Sequence, residues 1–252
     1  MKNTLLLQLA LLLTGSLLLC ACADSAPNGS TLNKDPRILV FSKTAGFRHT
    51  SIGAGIAAIR KLGQENGVQV TATEDAAYFQ ADSLKKYKAV VFLSTTNDVL
   101  NNEQQSAFEN YIRAGGGFAG IHAASDTEFD WPWYGKLVGA YFANHPKIQQ
   151  ASIVVVDKKH LATSFLPDRW GRTDEWYNFK NINPDMHVLA TLDESTYSGG
   201  TNGDNHPIAW YHEFDGGRAF YTALGHTEES YSEPLFLKHL WGGIAYAMGR
   251  KR

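Results

Sequence analysis

Residues 115–131 read GGGFAGIHAASDTEFDW: three glycines, a short apolar run, then a histidine, small residues and carboxylates. An apolar run of this length suits a buried strand, and its abrupt end in small residues suits a tight turn that feeds a helix. In an open α/β sheet, ligands bind beyond the carboxyl ends of the strands. His122 and Asp126 stand at such an end and are the leading candidates for chemistry. They are four residues apart, so a helix starting near Ala123 would let them project to one side. Asp126 would then orient the His122 ring and raise its basicity, as suits a general base or a metal ligand.

The same rhythm recurs on either side of this stretch. Residues 37–42 (RILVFS) and 89–94 (AVVFLS) have the composition of buried strands, and residues 68–73 alternate like a further one. Residues 51–65 carry Ile52, Ile56, Ile59 and Leu62 at helical spacing, and residues 103–113 also read as a helix. Strands alternating with helices predict an α/β fold with a mostly parallel sheet, covered on both faces, in a three-layer flavodoxin-like arrangement. The second half is less regular. Strands are expected at 152–156, 187–191, 208–211 and 218–222 and a helix over 233–248, with 170–179 and 196–206 as polar, aromatic loops that line a pocket.

A chain of 252 residues, 44% hydrophobic, can bury one substantial core, so one folded domain over residues 36–250 is expected. Lys plus Arg number 23 against 25 for Asp plus Glu, with no long block of either sign, which argues against a nucleic-acid partner. Residues 1–22 read as an export signal: Lys2 precedes a Leu-rich run that ends in Leu19-Cys20-Ala21-Cys22. That ending resembles a bacterial lipobox with Cys22 as the lipidated residue. Residues 23–35 then form a flexible tether, and the protein is expected to be an exported lipoprotein, anchored to a membrane and facing the periplasm or the cell surface. Cleavage before Cys22 leaves one lipidated cysteine, hence neither a disulfide nor a thiol nucleophile.

Several of the nine histidines follow directly on apolar strands. His49 lies in the loop after the first strand, where Thr50 or Ser51 can cap the next helix. His206 and His226 stand at the edges of later strands, and Gly225 frees the backbone beside His226. Asp174-Glu175-Trp176-Tyr177 sets two acids beside aromatic rings that can raise a carboxyl pKa and stack on sugars. His145, His160, His187, His212 and His239 have weaker context, and of these His160, His187 and His239 read as structural or surface residues. No G-x-S-x-G elbow, H-E-x-x-H, P-loop or dinucleotide fingerprint is present.

Five separated motifs carry a family resemblance: residues 47–51 (FRHTS), 116–122 (GGFAGIH), 174–177 (DEWY), 206–210 (HPIAW), and 217–218 (GR) with 224–227 (LGHT). Together they resemble the ThuA-like (trehalose utilisation) family over about Pro36 to Gly249. The resemblance implies a fold similar to that of class I glutamine amidotransferases. His122 occupies the place of their catalytic cysteine, so glutamine hydrolysis is not implied.

The family's link to disaccharide breakdown by way of 3-keto sugars implies a carbohydrate substrate oxidised by a partner sugar dehydrogenase. The chemistry expected is proton abstraction beside the ketone, followed by cleavage or isomerisation. In that scheme His122 or Glu175 is the base, His226 or His49 stabilises the oxyanion and Asp126 orients His122. Arg48, Asp174 and His206 are expected to contact substrate, as are the aromatic residues Trp131, Trp133, Trp176 and Tyr177. No cofactor is fixed by the sequence. A metal-dependent hydrolase, with a divalent ion on some of His49, His122, Glu175 and His226, is the competing enzyme reading. A lipid-anchored carbohydrate-binding protein using those aromatic residues is the third.

Overall fold

Strands β1 (Arg37–Phe41), β2 (Gln69–Thr73), β3 (Ala89–Leu93) and β4 (Gly117–Ile121) lie parallel to β11 (Gly217–Thr222) in a computed structural model that describes residues 35–250. The expected export signal, Cys22 and nearly all of the expected tether lie outside the described residues. β1, β3 and β4 are almost wholly buried, which explains why they read as apolar runs rather than alternating ones. Past β11 the sheet continues as an antiparallel set: β10 (His206–Phe214), β9 (His187–Asp193), β6 (Gln149–Val155) and β7 (Arg169–Asp174). The full order is β2-β1-β3-β4-β11-β10-β9-β6-β7. β5 (Tyr141–Asn144) and β8 (Asn178–Lys180) form a separate antiparallel pair.

Helices cover both faces, as expected. On β3, Phe92 packs against Phe108 of α3 (Asn102–Arg113), while the next residue, Leu93, faces Gly55 of α1 (Ile52–Glu65). Successive strand residues point to opposite faces, so α1 and α3 lie in different layers. α3 begins with a reciprocal capping box between Asn101 and Gln104. Besides the four-residue α2 (Ala81–Leu84), the chain forms α4 (Pro132–Val138), which starts on a proline and stops at Gly139 with φ +95°, and the apolar α5 (Pro234–Ala247).

One expectation fails instructively. Residues 170–179 were expected to be a loop, yet 169–174 form the edge strand β7. Its inward residues are Trp170, Arg172 and Asp174, and two of the three carry charge, so the alternation does not register as hydrophobic. The buried charges are matched by an Arg172–Asp174 ion pair at 3.0 Å.

His239, read as structural, is buried on α5. Its Nδ1 donates to the Ala162 carbonyl at 2.9 Å, and its Nε2 accepts from the Thr222 hydroxyl at 3.1 Å. Burial lowers its pKa from 6.5 to about 4. A histidine depressed in the folded state contributes stability that is complete above pH 6.5 and is lost as pH falls through the folded pKa. The loss from this residue amounts to about 3 kcal/mol once both states are protonated. Urea unfolding between pH 7 and 4.5 should show a steeper fall in stability for the parent protein than for His239→Gln, and equal slopes would rule out this role.

Candidate functional site

Four side chains from four separate segments converge beyond the carboxyl ends of the parallel strands. His122 follows β4 directly and holds φ at +51°, a left-handed conformation that strains a non-glycine residue. The Tyr221 hydroxyl, itself paired with Ser125, donates to the His122 carbonyl at 2.7 Å and secures that turn. His49 comes from the loop after β1, His226 from the loop after β11 and Glu175 from the residue after β7. Ser51 ties two of these loops together through its hydroxyl, which donates to the Gly225 carbonyl at 3.2 Å rather than capping α1.

The ring of His122 is fully buried, and its Nδ1 donates to the Ala223 carbonyl at 2.7 Å. With the proton on Nδ1, Nε2 presents a lone pair. It points to a place shared with His49 Nε2 and His226 Nδ1, each 3.1 Å away. A Glu175 oxygen lies 3.0 Å from His226 Nδ1 and 3.5 Å from His122 Nε2. One donor atom from each of the four residues falls within 4.8 Å of all the others.

Burial and the neighbouring charges act differently on the members of this cluster. Burial, reinforced by His122 and His226, lowers the pKa of His49 to about 3. Burial works to raise the pKa of Glu175, but the neighbouring His122 and His226 outweigh it and hold the carboxylate well below its usual range. His226 is lowered by burial and raised more strongly by Glu175, for a net upward shift. Asp126 is half-buried, and burial raises its pKa to about 6 against the opposing influence of His122, Lys180 and His145.

Three imidazoles and a carboxylate are a fitting donor set for zinc or a harder transition ion. Donors about 2.0–2.1 Å from a tetrahedral ion stand roughly 3.4 Å apart, and the His122–His49, His122–His226, His122–Glu175 and His226–Glu175 separations of 3.0–3.5 Å are near that spacing. The bare Nε2 of His122, facing two other ring nitrogens, is the atom such an ion would satisfy.

The remaining candidates divide. Tyr177 lies against the His122 ring at 4.3 Å between centroids, and Arg48, exposed and paired with Glu74 at 2.7 Å, adjoins His49. His122 is oriented by the Ala223 carbonyl and not by Asp126, which ends a short 3-10 turn over His122–Ser125 instead of lying on a helix. Asp174 is fully buried, and its oxygens are occupied by Arg172 and three main-chain amides, so it does not face a substrate.

The expected aromatic platform does not form. Trp176 is fully buried and donates to the Gln149 carbonyl. Trp131 is buried, donates to Glu109 and stacks on Trp133. Trp133 donates to Asp215 in the β10–β11 turn, at the opposite end of the strands from His122. His206 is also buried, held by Glu194 and by the Tyr177 carbonyl, and supports the site from behind.

The sequence reading missed His145. This exposed histidine follows β5, and its Nδ1 lies 3.1 Å from the second oxygen of Glu175. Nothing in residues 144–146 (NHP) marks it, because the β5–β8 pairing that brings it to the site is not visible in the local pattern.

The family described as ThuA, trehalose utilisation, matches residues 37–247. No curated protein matches the chain. Among solved structures, a protein described as ThuA-like from Bacteroides uniformis ATCC 8492 is 22% identical with a TM-score of 0.73, covering 88% of this chain and 95% of that one. A second, from Parabacteroides merdae ATCC 43184, is 18% identical with a TM-score of 0.68 over 86% and 91% of the two chains. A beta-galactosidase from Bacillus circulans sp. alkalophilus shares the fold at 14% identity and a TM-score of 0.58, over 86% of this chain but 32% of its own.

Proposed function

The chain belongs to the ThuA trehalose-utilisation family, and from that premise we propose that it is a carbohydrate enzyme acting on 3-keto-glycosides at a centre built for a divalent metal ion. The observation that carries the reading is the convergence of His49, His122, Glu175 and His226, with the His122 lone pair fixed toward the common point. A divalent ion there would supply Lewis acidity to a sugar carbonyl or hydroxyl oxygen.

The protein's own residues account for the rest of the chemistry. His49, His122, His226 and Glu175 would hold the ion, which would leave their lone pairs unavailable to a proton, so the base role first considered for His122 or Glu175 passes to another group. Asp126 fits: it is half-buried, lies in the electrostatic reach of His122 and His145, and has its pKa raised by burial toward neutrality. A ketone at C3 acidifies the C2 proton. Asp126 takes that proton, and the C2–H electron pair forms the C2–C3 double bond of an enolate. Collapse of the enolate re-forms the ketone, makes a C1–C2 double bond and expels the C1 oxygen. That oxygen leaves as an alcohol after accepting a proton, for which His145, exposed beside Glu175, is placed. Reprotonation at C2 from the opposite face instead isomerises the sugar to its C2 epimer. Tyr177 packs on His122 and limits water there.

A metal-dependent hydrolase acting on unoxidised glycosides shares the same donor set and is the second reading. The binding-only reading loses its support because Trp131, Trp133 and Trp176 do not line the centre. The deciding experiment is NMR of the protein with a 3-keto-glucoside in deuterated water, with and without chelator, beside the parent glucoside. Cleavage or deuterium uptake at C2 restricted to the keto sugar and abolished by chelator is expected. Turnover of the parent glucoside alone would give preference to the hydrolase, and no change in either sugar with metal supplied would overturn both.

The proposal extends to export and lipid attachment at Cys22, supported by the Leu-rich run and the Leu19-Cys20-Ala21-Cys22 ending in residues 1–22. Incorporation of labelled fatty acid into the parent protein but not into Cys22→Ser is the expected result, and equal labelling would refute it.

A further inference from the structure

We propose that Asp174 and Arg172 form a buried clasp that sets the separation of Glu175 and His226, and thereby the affinity of the centre for a divalent ion. The inference rests on the metal reading above and adds two positioning residues to it. Glu175 and His226 lie 51 positions apart in sequence and come from opposite regions of the sheet, β7 at the edge and β11 near the middle. One carboxylate joins them. Asp174 Oδ1 accepts the amide of Glu175 at 3.0 Å and that of His226 at 3.1 Å, while Oδ2 accepts the amide of Gly225 at 3.0 Å.

Arg172 completes the clasp. Its guanidinium donates to Asp174 Oδ2 at 3.0 Å and to the Ser230 hydroxyl at 2.7 Å, and it pairs with Glu233 at 3.0 Å. It is held between the rings of Trp170 and Phe236, 5.0 and 4.9 Å from their centroids. The cation therefore neutralises a fully buried anion and ties it to the segment that follows His226. Every acceptor site of Asp174 faces a donor. A carboxamide cannot substitute, because its NH2 group would face an N–H in either orientation.

The test is a titration of the metal-free protein with Co(II), followed by its visible absorption, with Zn(II) competition to measure affinity. Asp174→Asn should bind Co(II) about 10- to 100-fold more weakly, as changes behind metal ligands typically do, and with an altered spectrum. Arg172→Lys keeps the charge but loses the fork and should show a smaller change in the same direction. Phe108→Leu, on the buried face of α3, should lower the melting temperature and leave both affinity and spectrum unmoved. Parent-like affinity and spectrum in Asp174→Asn would overturn the clasp. If Asp174→Asn does not fold, parent-like values in Arg172→Lys would overturn it. Failure of the parent protein to bind Co(II) or Zn(II) would instead defeat the metal reading on which the clasp rests.

Discussion

His122→Ala is expected to lower turnover of a 3-keto-glycoside by about 10²–10³-fold or more, the loss typical when electrostatic stabilisation of a developing oxyanion is removed. His122 is central to the cluster, since its Nε2 lies 3.1 Å from both His49 and His226 and 3.5 Å from Glu175. Removing the ring also vacates a fully buried position and leaves the Ala223 carbonyl without its partner. Bound metal, measured by elemental analysis after dialysis, should fall from about one equivalent to near zero. His122→Asn keeps a donor toward Ala223 and tests whether the loss comes from coordination rather than from the turn. Full activity in His122→Ala would remove the residue from the mechanism, and full metal content with lost activity would reassign it as the base.

The largest stability effect is expected at the other end of the same strand. A Cβ on Gly117 would lie 1.9 Å from the Ala247 carbonyl oxygen and 2.5 Å from its carbon, so the last turn of α5 would have to move off the sheet. Backbone atoms cannot swing aside as a flexible side chain can. Gly117→Ala should therefore cost about 3 kcal/mol, the upper part of the range for overpacking. For a domain of this size that lowers the melting temperature by roughly 6–12 °C in calorimetry. The neighbouring glycine is crowded as well, since a Cβ on Gly116 would lie 2.5 Å from the Tyr111 ring and 2.6 Å from the Tyr111 carbonyl oxygen. A melting temperature unchanged by Gly117→Ala would mean that α5 does not approach β4 so closely in solution.

These two sites show how unevenly the molecule could be read in advance. The parallel half of the sheet was legible because β1, β3 and β4 are buried on both faces and contain little but apolar residues. His49, His122, Glu175 and His226 were legible because each stands where such a strand, or a motif shared with the family, ends. Asp126 was legible as a residue but not in its role, since the partner that orients His122 is a carbonyl 101 positions away and main-chain atoms leave no trace in composition. Trp131, Trp133 and Trp176 misled because an indole looks the same in a sequence whether it lines a sugar site or packs inside a core.

From its residue pattern alone, the chain determined its α/β class, its family and which histidines stand at strand ends, since local periodicity and short motifs carry that information. Only the tertiary structure decided that three of these histidines meet Glu175 at one point, that His145 joins them and that Asp174 clasps two of their segments. Those facts depend on the pairing of β5 with β8 and on β7 lying at the sheet edge, with its charges turned inward. Strand order and the path of a carboxylate between distant amides arise from long-range packing, which no local stretch of sequence encodes by itself.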